Sequence, residues 1–228
     1  MPNYIKFDDN HPDKIMETWD KMVDEVKSAY VLPPTKKKVC VDIGCNVGSF
    51  IAHAKTQGAF ENVYGFEPAF QTYHTCLSML RNFNVLDESV QVRNLAVTEK
   101  SGQVLSLFEN GSGQSGDATL LQPEKTTQSE NCLTIGLDDI FGILQVEHIN
   151  YLKIDCEGAE FNILSTCSRI KDIDVMVIET HAGNFEPLRK HLMISGFWTA
   201  GFRDESSNFQ APLIIAFNTL RMQEDFRE

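Results

Sequence analysis

The stretch from Val39 to Pro68 constrains this chain more than any other. It opens VCVDIGCNVGSF and closes VYGFEP. An apolar run, a glycine turn, a helix-compatible segment and a second apolar run describe a strand–turn–helix–strand unit that delivers Glu67 to the end of its second strand. Such a unit holds nucleoside-containing ligands at the edge of an open α/β sheet. Glycines let the backbone come close, a helix N-terminus offers free N–H groups, and the acid can accept both ribose hydroxyls. The turn is not that of a dinucleotide site. A G-x-G-x-x-G series starting at Gly44 would need glycine where Asn46 and Ser49 stand. The order Asp42-x-Gly44-x-Asn46-x-Gly48 instead brings a carboxylate into the turn, which would repel a pyrophosphate and attract the ammonium of an amino-acid tail. The pattern favours S-adenosylmethionine over NAD.

At 228 residues and 42% hydrophobic, the chain can bury a full core as one domain. Acids outnumber bases 32 to 20, a formal charge of -12, and the one basic cluster, Lys36-Lys37-Lys38, reads as a solvated approach to the first strand. An acidic chain without a basic face argues against a nucleic-acid partner and leaves a small-molecule or glycan acceptor open. The six cysteines form no C-x-x-C pair, and Cys40 and Cys156 lie in apolar runs, as buried thiols of a reducing compartment do. The start, MPNYIKFDDNHPDK, lacks the apolar core of a signal peptide, and no run approaches the roughly 18 apolar residues of a membrane span. A cytoplasmic location is expected.

Apolar residues at Ile15, Met16, Trp19, Met22, Val23 and Val26 predict a helix over 13–30, stopped by Pro33-Pro34 and laid on the sheet or over the pocket mouth. The chain therefore divides into an N-terminal helical extension (1–37), one catalytic-size domain (38–218) and a tail (219–228). Strands are predicted over 38–43, 62–66, 90–97, 150–155 and 174–179, with helices over 48–57, 70–82 and 184–195 and another from Gly158. A hairpin arm is predicted over 103–109. The segment from Leu133 to Asp139 reads as the opening of a short helix through Leu144. The glycine- and serine-rich loop at 110–116 is a candidate lid. Segments 197–202 and 213–217 read as a closing antiparallel pair. Strands alternating with helices imply a mostly parallel sheet covered on both faces.

In such sheets ligands bind beyond the carboxyl ends of the strands, and those ends carry Asp42, Glu67, Asn94 to Ala96, Asp155 and Glu179. The run YLKIDCEGAE packs three carboxylates close to Lys153, which is costly if they are buried without partners. The acids could cap the following helix, or Lys153 could form a structural ion pair. In the functional reading Asp155 faces cofactor and substrate while Glu157 or Lys153 handles a proton. Glu160 reads as a first-turn acid complementing the helix dipole. Glu179-Thr-His181 could supply a base. A divalent cation on Asp155, Glu157, Glu179 or His181 is the lesser reading, and no metal is predicted. His53 and His74 read as packing or surface residues. Neither a G-x-S-x-G elbow nor a P-loop lysine is present.

Taken together, VDIGCNVGSF, YGFEP, VRNLAV, GSGQSGDATL, LTIGLDDI, YLKIDCEGAE and VMVIETH resemble, in order, the FkbM family of S-adenosylmethionine-dependent methyltransferases. The resemblance covers about 39–181. It implies an α/β, class I methyltransferase (Rossmann-like) fold with a seven-stranded, mostly parallel sheet and an antiparallel strand near the C-terminus. The implied chemistry is O-methylation of a hydroxyl on a sugar or other small molecule. It further implies that Asp42, Gly44, Cys45, Asn46 and Gly48 meet the methionine part of the cofactor and Glu67 the ribose, with Pro68 beside it. Asn94 and Ala96 would lie near the adenine and Asp155 near the methyl. Among the candidate catalytic residues read from the strand ends, Asp155 is the first choice, with Glu157 or His181 as alternatives. The chain departs from the family in having Cys45 where alanine is commoner and Cys156 where valine is. It also lacks the family's asparagine in clear register after Phe66, Asn82 and Asn84 being nearest. Two other readings compete: a cofactor- or partner-binding module without turnover, and a nucleotide-dependent oxidoreductase. An RNA ribose methyltransferase is disfavoured because the strand over 175–179 supplies no lysine.

Overall fold

The computed structural model describes residues 30, 32–33, 35–109, 118–119, 127–181, 183–202 and 212–224. The expected N-terminal helix, apart from Tyr30, and the loop at 110–116 lie outside the described residues. The chain opens with β1 (Lys37–Ile43), α1 (Ser49–Thr56), β2 (Phe60–Phe66), α2 (Phe70–Asn82) and β3 (Val90–Arg93). Four strands of a second sheet follow: β4 (Ala96–Thr98), β5 (Val104–Glu109), β6 (Ala118–Thr119) and β7 (Thr127–Gly136). The alternation then resumes with α3 (Leu137–Leu144), β8 (Ile149–Ile154), α4 (Glu160–Thr166), β9 (Ile173–Glu179) and α5 (Phe185–Ile194). β10 (Phe197–Phe202), β11 (Leu213–Asn218) and α6 (Thr219–Glu224) complete it.

Seven strands form the main sheet in the order β10-β11-β9-β8-β1-β2-β3. β1 pairs in parallel with β2 and β8, while β11 runs antiparallel to both β9 and β10. The order reverses beside β1, so the switch point lies between β1 and β8. Both strands are buried on both faces, as central parallel strands are. Their two-residue period sorts the side chains: Val41, Ile43, Leu152 and Ile154 enter one core cluster with Ile163, Met176 and Leu188. Cys40 and Tyr151 enter the other with Phe50, Val63 and Leu80. The same alternation puts Asp42 and Lys153, which are register partners, on one face.

Two expectations are revised. The strand expected over 90–97 is two strands, because the Asn94 amide donates to the carbonyls of Glu67 (2.9 Å) and Pro68 (2.8 Å) and turns the chain off the main sheet. β4 then joins a second sheet, in the order β4-β7-β5-β6. The segment from Leu133 to Gly136, expected to open a helix, is the end of β7, which pairs with both β4 and β5. Those partners are remote in sequence, so local pattern could not reveal them. The closing pair exists, with β11 inserted between β10 and β9. In the expected tail, Thr219 is tied to the Gly196 carbonyl through its amide (3.2 Å) and hydroxyl (2.7 Å). No disulfide joins the six cysteines, five of which are buried. No helix among the described residues is long and apolar enough to cross a membrane.

Gly44, which leaves β1, has φ +73°, and a Cβ there would lie 1.7 Å from the Asp155 carbonyl oxygen. The turn and the end of β8 therefore touch backbone to backbone. Gly44→Ala combines backbone strain with a clash that no side-chain rotation relieves. It should cost more than about 4 kcal/mol, an exceptional loss for one substitution. In a chain of this size that lowers the thermal midpoint by on the order of 10 °C. An unchanged midpoint would refute this packing.

Candidate active site at the carboxyl edge of the sheet

Asp42 and Lys153, both buried, stand 3.1 Å apart. The Lys153 ammonium also donates to the Gly44 carbonyl at 3.0 Å and lies 3.5 Å from Asp155 Oδ2. Burial works against the ammonium's charge, but Asp42 and Asp155 outweigh it and hold Lys153 well above its ordinary pKa. Of the alternatives open in the sequence, the structural ion pair is the one found. Asp42, expected at the methionine part of the cofactor, is fully buried and faces Lys153 inside the protein. Tyr30 closes over this pair. Its hydroxyl donates to Glu179 Oε2 at 3.4 Å, its ring meets Phe50 edge-on at 5.4 Å, and the Lys153 ammonium lies 5.8 Å from its centroid.

The turn between β1 and α1 spends its amides internally. Gly44 and Cys45 both donate to the Phe66 carbonyl (3.0 and 3.1 Å), Gly48 donates to Cys45 (2.8 Å), and Asn46 donates to Glu67 Oε2 (3.0 Å). Asn46 has φ 48°, which aims that amide at the acid. Glu67 Oε1 accepts from the Ala69 amide at 3.0 Å. Glu67 is 6% exposed, and burial raises its carboxyl to about 7 against the pull of those two amides. A carboxylate has about four lone-pair sites, so two remain for a ligand. The Asn46 side-chain oxygen is buried without a hydrogen-bond partner. Of the other expected cofactor residues, Gly48 caps α1 and Pro68 is half-buried beside Glu67. Cys45 and Ala96 are buried in packing clusters, and the Asn94 amide holds the link from β2 to α2.

A second group lies past the ends of β8 and β9. His181 Nε2 is 3.7 Å from Glu157 Oε2, 4.0 Å from Asp155 Oδ1 and 4.0 Å from Glu179 Oε1. Its other nitrogen, Nδ1, is 2.8 Å from Glu160 Oε1. The expected dipole role of Glu160 is therefore corrected. The residue is fully buried and also accepts from the Gly158 amide (2.9 Å) and the Asn184 side chain (3.2 Å). Burial pushes its carboxyl up, yet the bonds from His181 and Gly158 hold it below its ordinary value. Burial pulls the His181 imidazole down, but the Glu160 bond and the Glu157 and Asp155 carboxylates raise it to about 9. Burial, reinforced by Asp155, raises Glu179 to about 7. The structure thus brings Asp155, Glu157, Glu179 and His181 together and adds Glu160, Asn184 and Tyr30. His53 is buried and His74 exposed, as packing and surface residues.

A glycine turn after the first strand, an acid after the second and this strand order define the class I methyltransferase fold. The model of the methyltransferase FkbM domain matches residues 42–203, and the chain belongs to that family. Among solved structures it is similar to a methyltransferase FkbM from Methylobacillus flagellatus KT (TM-score 0.56, 16% identity), covering 81% of this chain and 45% of that one. This chain thus spans less than half the length of that relative. It is also similar to TrmK of M. capricolum in complex with S-adenosyl-homocysteine (TM-score 0.53, 10% identity, 89% of this chain and 68% of that one). A third similarity is to an rRNA methylase from Streptococcus thermophilus (TM-score 0.51, 11% identity, 90% and 95%). No curated protein matches the chain.

Two of the four acids around His181 should separate in a stability measurement. Glu160→Ala leaves buried donors without their charged acceptor and should cost about 1.5–3 kcal/mol. Glu157→Ala, whose side chain is about one-third exposed, should stay within about 0.5 kcal/mol. Chemical denaturation of both variants checks this, and equal losses would show that Glu160 has no special place.

Proposed function

We propose that the chain binds S-adenosylmethionine and transfers its methyl group to a hydroxyl of a sugar or other small-molecule acceptor. The observation that carries this reading is the division of hydrogen bonds around the glycine turn. Four turn amides are already donated within the protein, so the turn is a poor cradle for a pyrophosphate. Glu67 is held by two amides, with acceptor capacity left for a ribose diol. These residues fit a nucleoside whose link to its tail carries no negative charge, and they fit a dinucleotide badly.

The cofactor would supply a methyl group on a sulfonium, open to in-line displacement by an acceptor oxygen. Glu67 fixes the ribose, and with it the line along which the methyl is presented. Alignment of this kind is the largest part of the rate in such a displacement. Asp155, with a side chain 29% exposed, stands at the end of β8 beside the Gly44 turn. Its carboxylate accepts the proton of the acceptor hydroxyl, a contribution of about 10²–10⁴-fold. Lys153 keeps that carboxylate oriented through its 3.5 Å contact, and the ring of Tyr30 shields the pair from water. The net charge of -12 supports a small or uncharged acceptor over a polyanion.

Calorimetry should detect S-adenosylmethionine and not NAD, and Glu67→Ala should weaken binding by about 1.5–3 kcal/mol. Binding to ionised Glu67 also carries a pH signature. Its pKa near 7 in the free protein means that affinity rises with pH through that region and is lost as pH falls below it. Glu67→Gln should abolish the dependence, whereas a dependence that survives in this variant places the titrating group elsewhere.

Asp155→Asn should lower single-turnover methyl transfer by about 10²–10⁴-fold with cofactor affinity nearly unchanged. A pooled screen of sugars and metabolites for S-adenosylhomocysteine formation identifies the acceptor. Full activity in Asp155→Asn would remove that residue from the proton transfer.

A further inference from the structure

Three donors from two strand ends converge on one point beside the proposed methyl-transfer position. Asp155 and Glu157 follow β8, and His181 follows β9. A ligand atom from each lies within 4.8 Å of the others. Two of the separations, from His181 Nε2 to Asp155 Oδ1 and to Glu157 Oε2, are 4.0 and 3.7 Å. A triangle with those sides has a point roughly 2.1–2.5 Å from every corner, which is the bond length of magnesium or calcium to its ligands. A direct hydrogen bond would need about 2.7–3.2 Å. His181 Nε2 therefore stands too far from either carboxylate for a direct hydrogen bond and at the spacing that a bridging ion spans.

The surroundings of the histidine point the same way, independently of the three donors. Glu160, which is not among them, takes Nδ1 at 2.8 Å and is itself fixed by Asn184 and the Gly158 amide. Metal-bound imidazoles are oriented in this manner, with a carboxylate on the far nitrogen, and an ion here takes the near lone pair by displacing the proton that the surrounding carboxylates hold on it. Charge adds to the case. Asp42, Asp155, Glu157, Glu160 and Glu179 bring five carboxylates to the region, against Lys153 and His181.

We infer that Asp155, Glu157 and His181 form a binding site for a divalent cation of the magnesium or manganese type, with Glu179 close enough to hold one of the ion's waters. The inference rests on the methyl-transfer reading for its purpose: the ion's remaining positions would take an oxygen of the acceptor and set it beside the methyl. Coordination through Asp155 Oδ1 leaves Oδ2, next to Lys153, to accept the acceptor's proton. Carboxylate-rich sets with one imidazole suit these harder ions.

The probe is Mn²⁺ added to the full chain without cofactor, with free ion followed by its paramagnetic resonance signal. One site per chain is expected, with Mg²⁺ competing for it. Glu157→Gln and His181→Ala should each weaken Mn²⁺ at least tenfold, while Glu88→Gln, on an exposed surface acid, should not. Glu157 is part-exposed, so its variant tests the site even if His181→Ala fails to fold. No stoichiometric Mn²⁺ binding, or binding indifferent to Glu157→Gln, overturns the inference. S-adenosylmethionine binding, measured separately by calorimetry, keeps the two readings apart. A protein that binds the cofactor and not the ion loses only the metal site.

Discussion

The site depends on one buried ion pair. Asp42 and Lys153 are cross-strand partners on β1 and β8, the two strands that meet at the switch point, and neither charge reaches water. Breaking such a pair from one side costs about 3–5 kcal/mol, because the surviving charge is left buried. Lys153 uses its remaining reach to hold the Gly44 carbonyl and the Asp155 carboxylate. One ammonium therefore joins the end of β1, the start of the glycine turn and the first acid after β8. The absent Cβ of Gly44 allows the same three parts to close up.

The two halves of the edge are built to different rules. On the β2 side the donors are spent within the protein: the turn amides and the Asn94 amide are all bonded, and two backbone amides fix Glu67. That suits a ligand whose shape is constant. On the β9 side the carboxylates around His181 Nε2 lie at 3.7–4.0 Å and remain partly exposed, while the groups behind them, Glu160 and Asn184, are tightly bonded. A rigid rear and an open front allow something to enter between the acids without rebuilding the fold.

Much of this was legible in the sequence. All seven main-sheet strands, the third of them drawn too long, and the helices over 48–57, 70–82 and 184–195 follow from apolar period, glycine and proline, because those elements are decided by neighbouring residues. Asp42, Glu67, Asp155 and Glu179 could be placed at strand ends for the same reason. β4 and β7 could not, since their pairing joins segments far apart along the chain and each half looks locally like something else.

The sequence by itself determined the order of elements, the absence of a dinucleotide turn and the set of acids available at the edge. It also carried the family, through motifs spaced along most of the chain. The tertiary structure decided which groups meet. Alternation alone places Asp42 on the face of Lys153, but only the β1–β8 register makes them neighbours and closes the ion pair. Glu160 has the local signature of a helix-dipole acid, and only the packing of α4 against the end of β9 turns it onto His181. Charge, burial and distance are properties of pairs, and the pairs that matter here are made by segments that the chain does not place side by side.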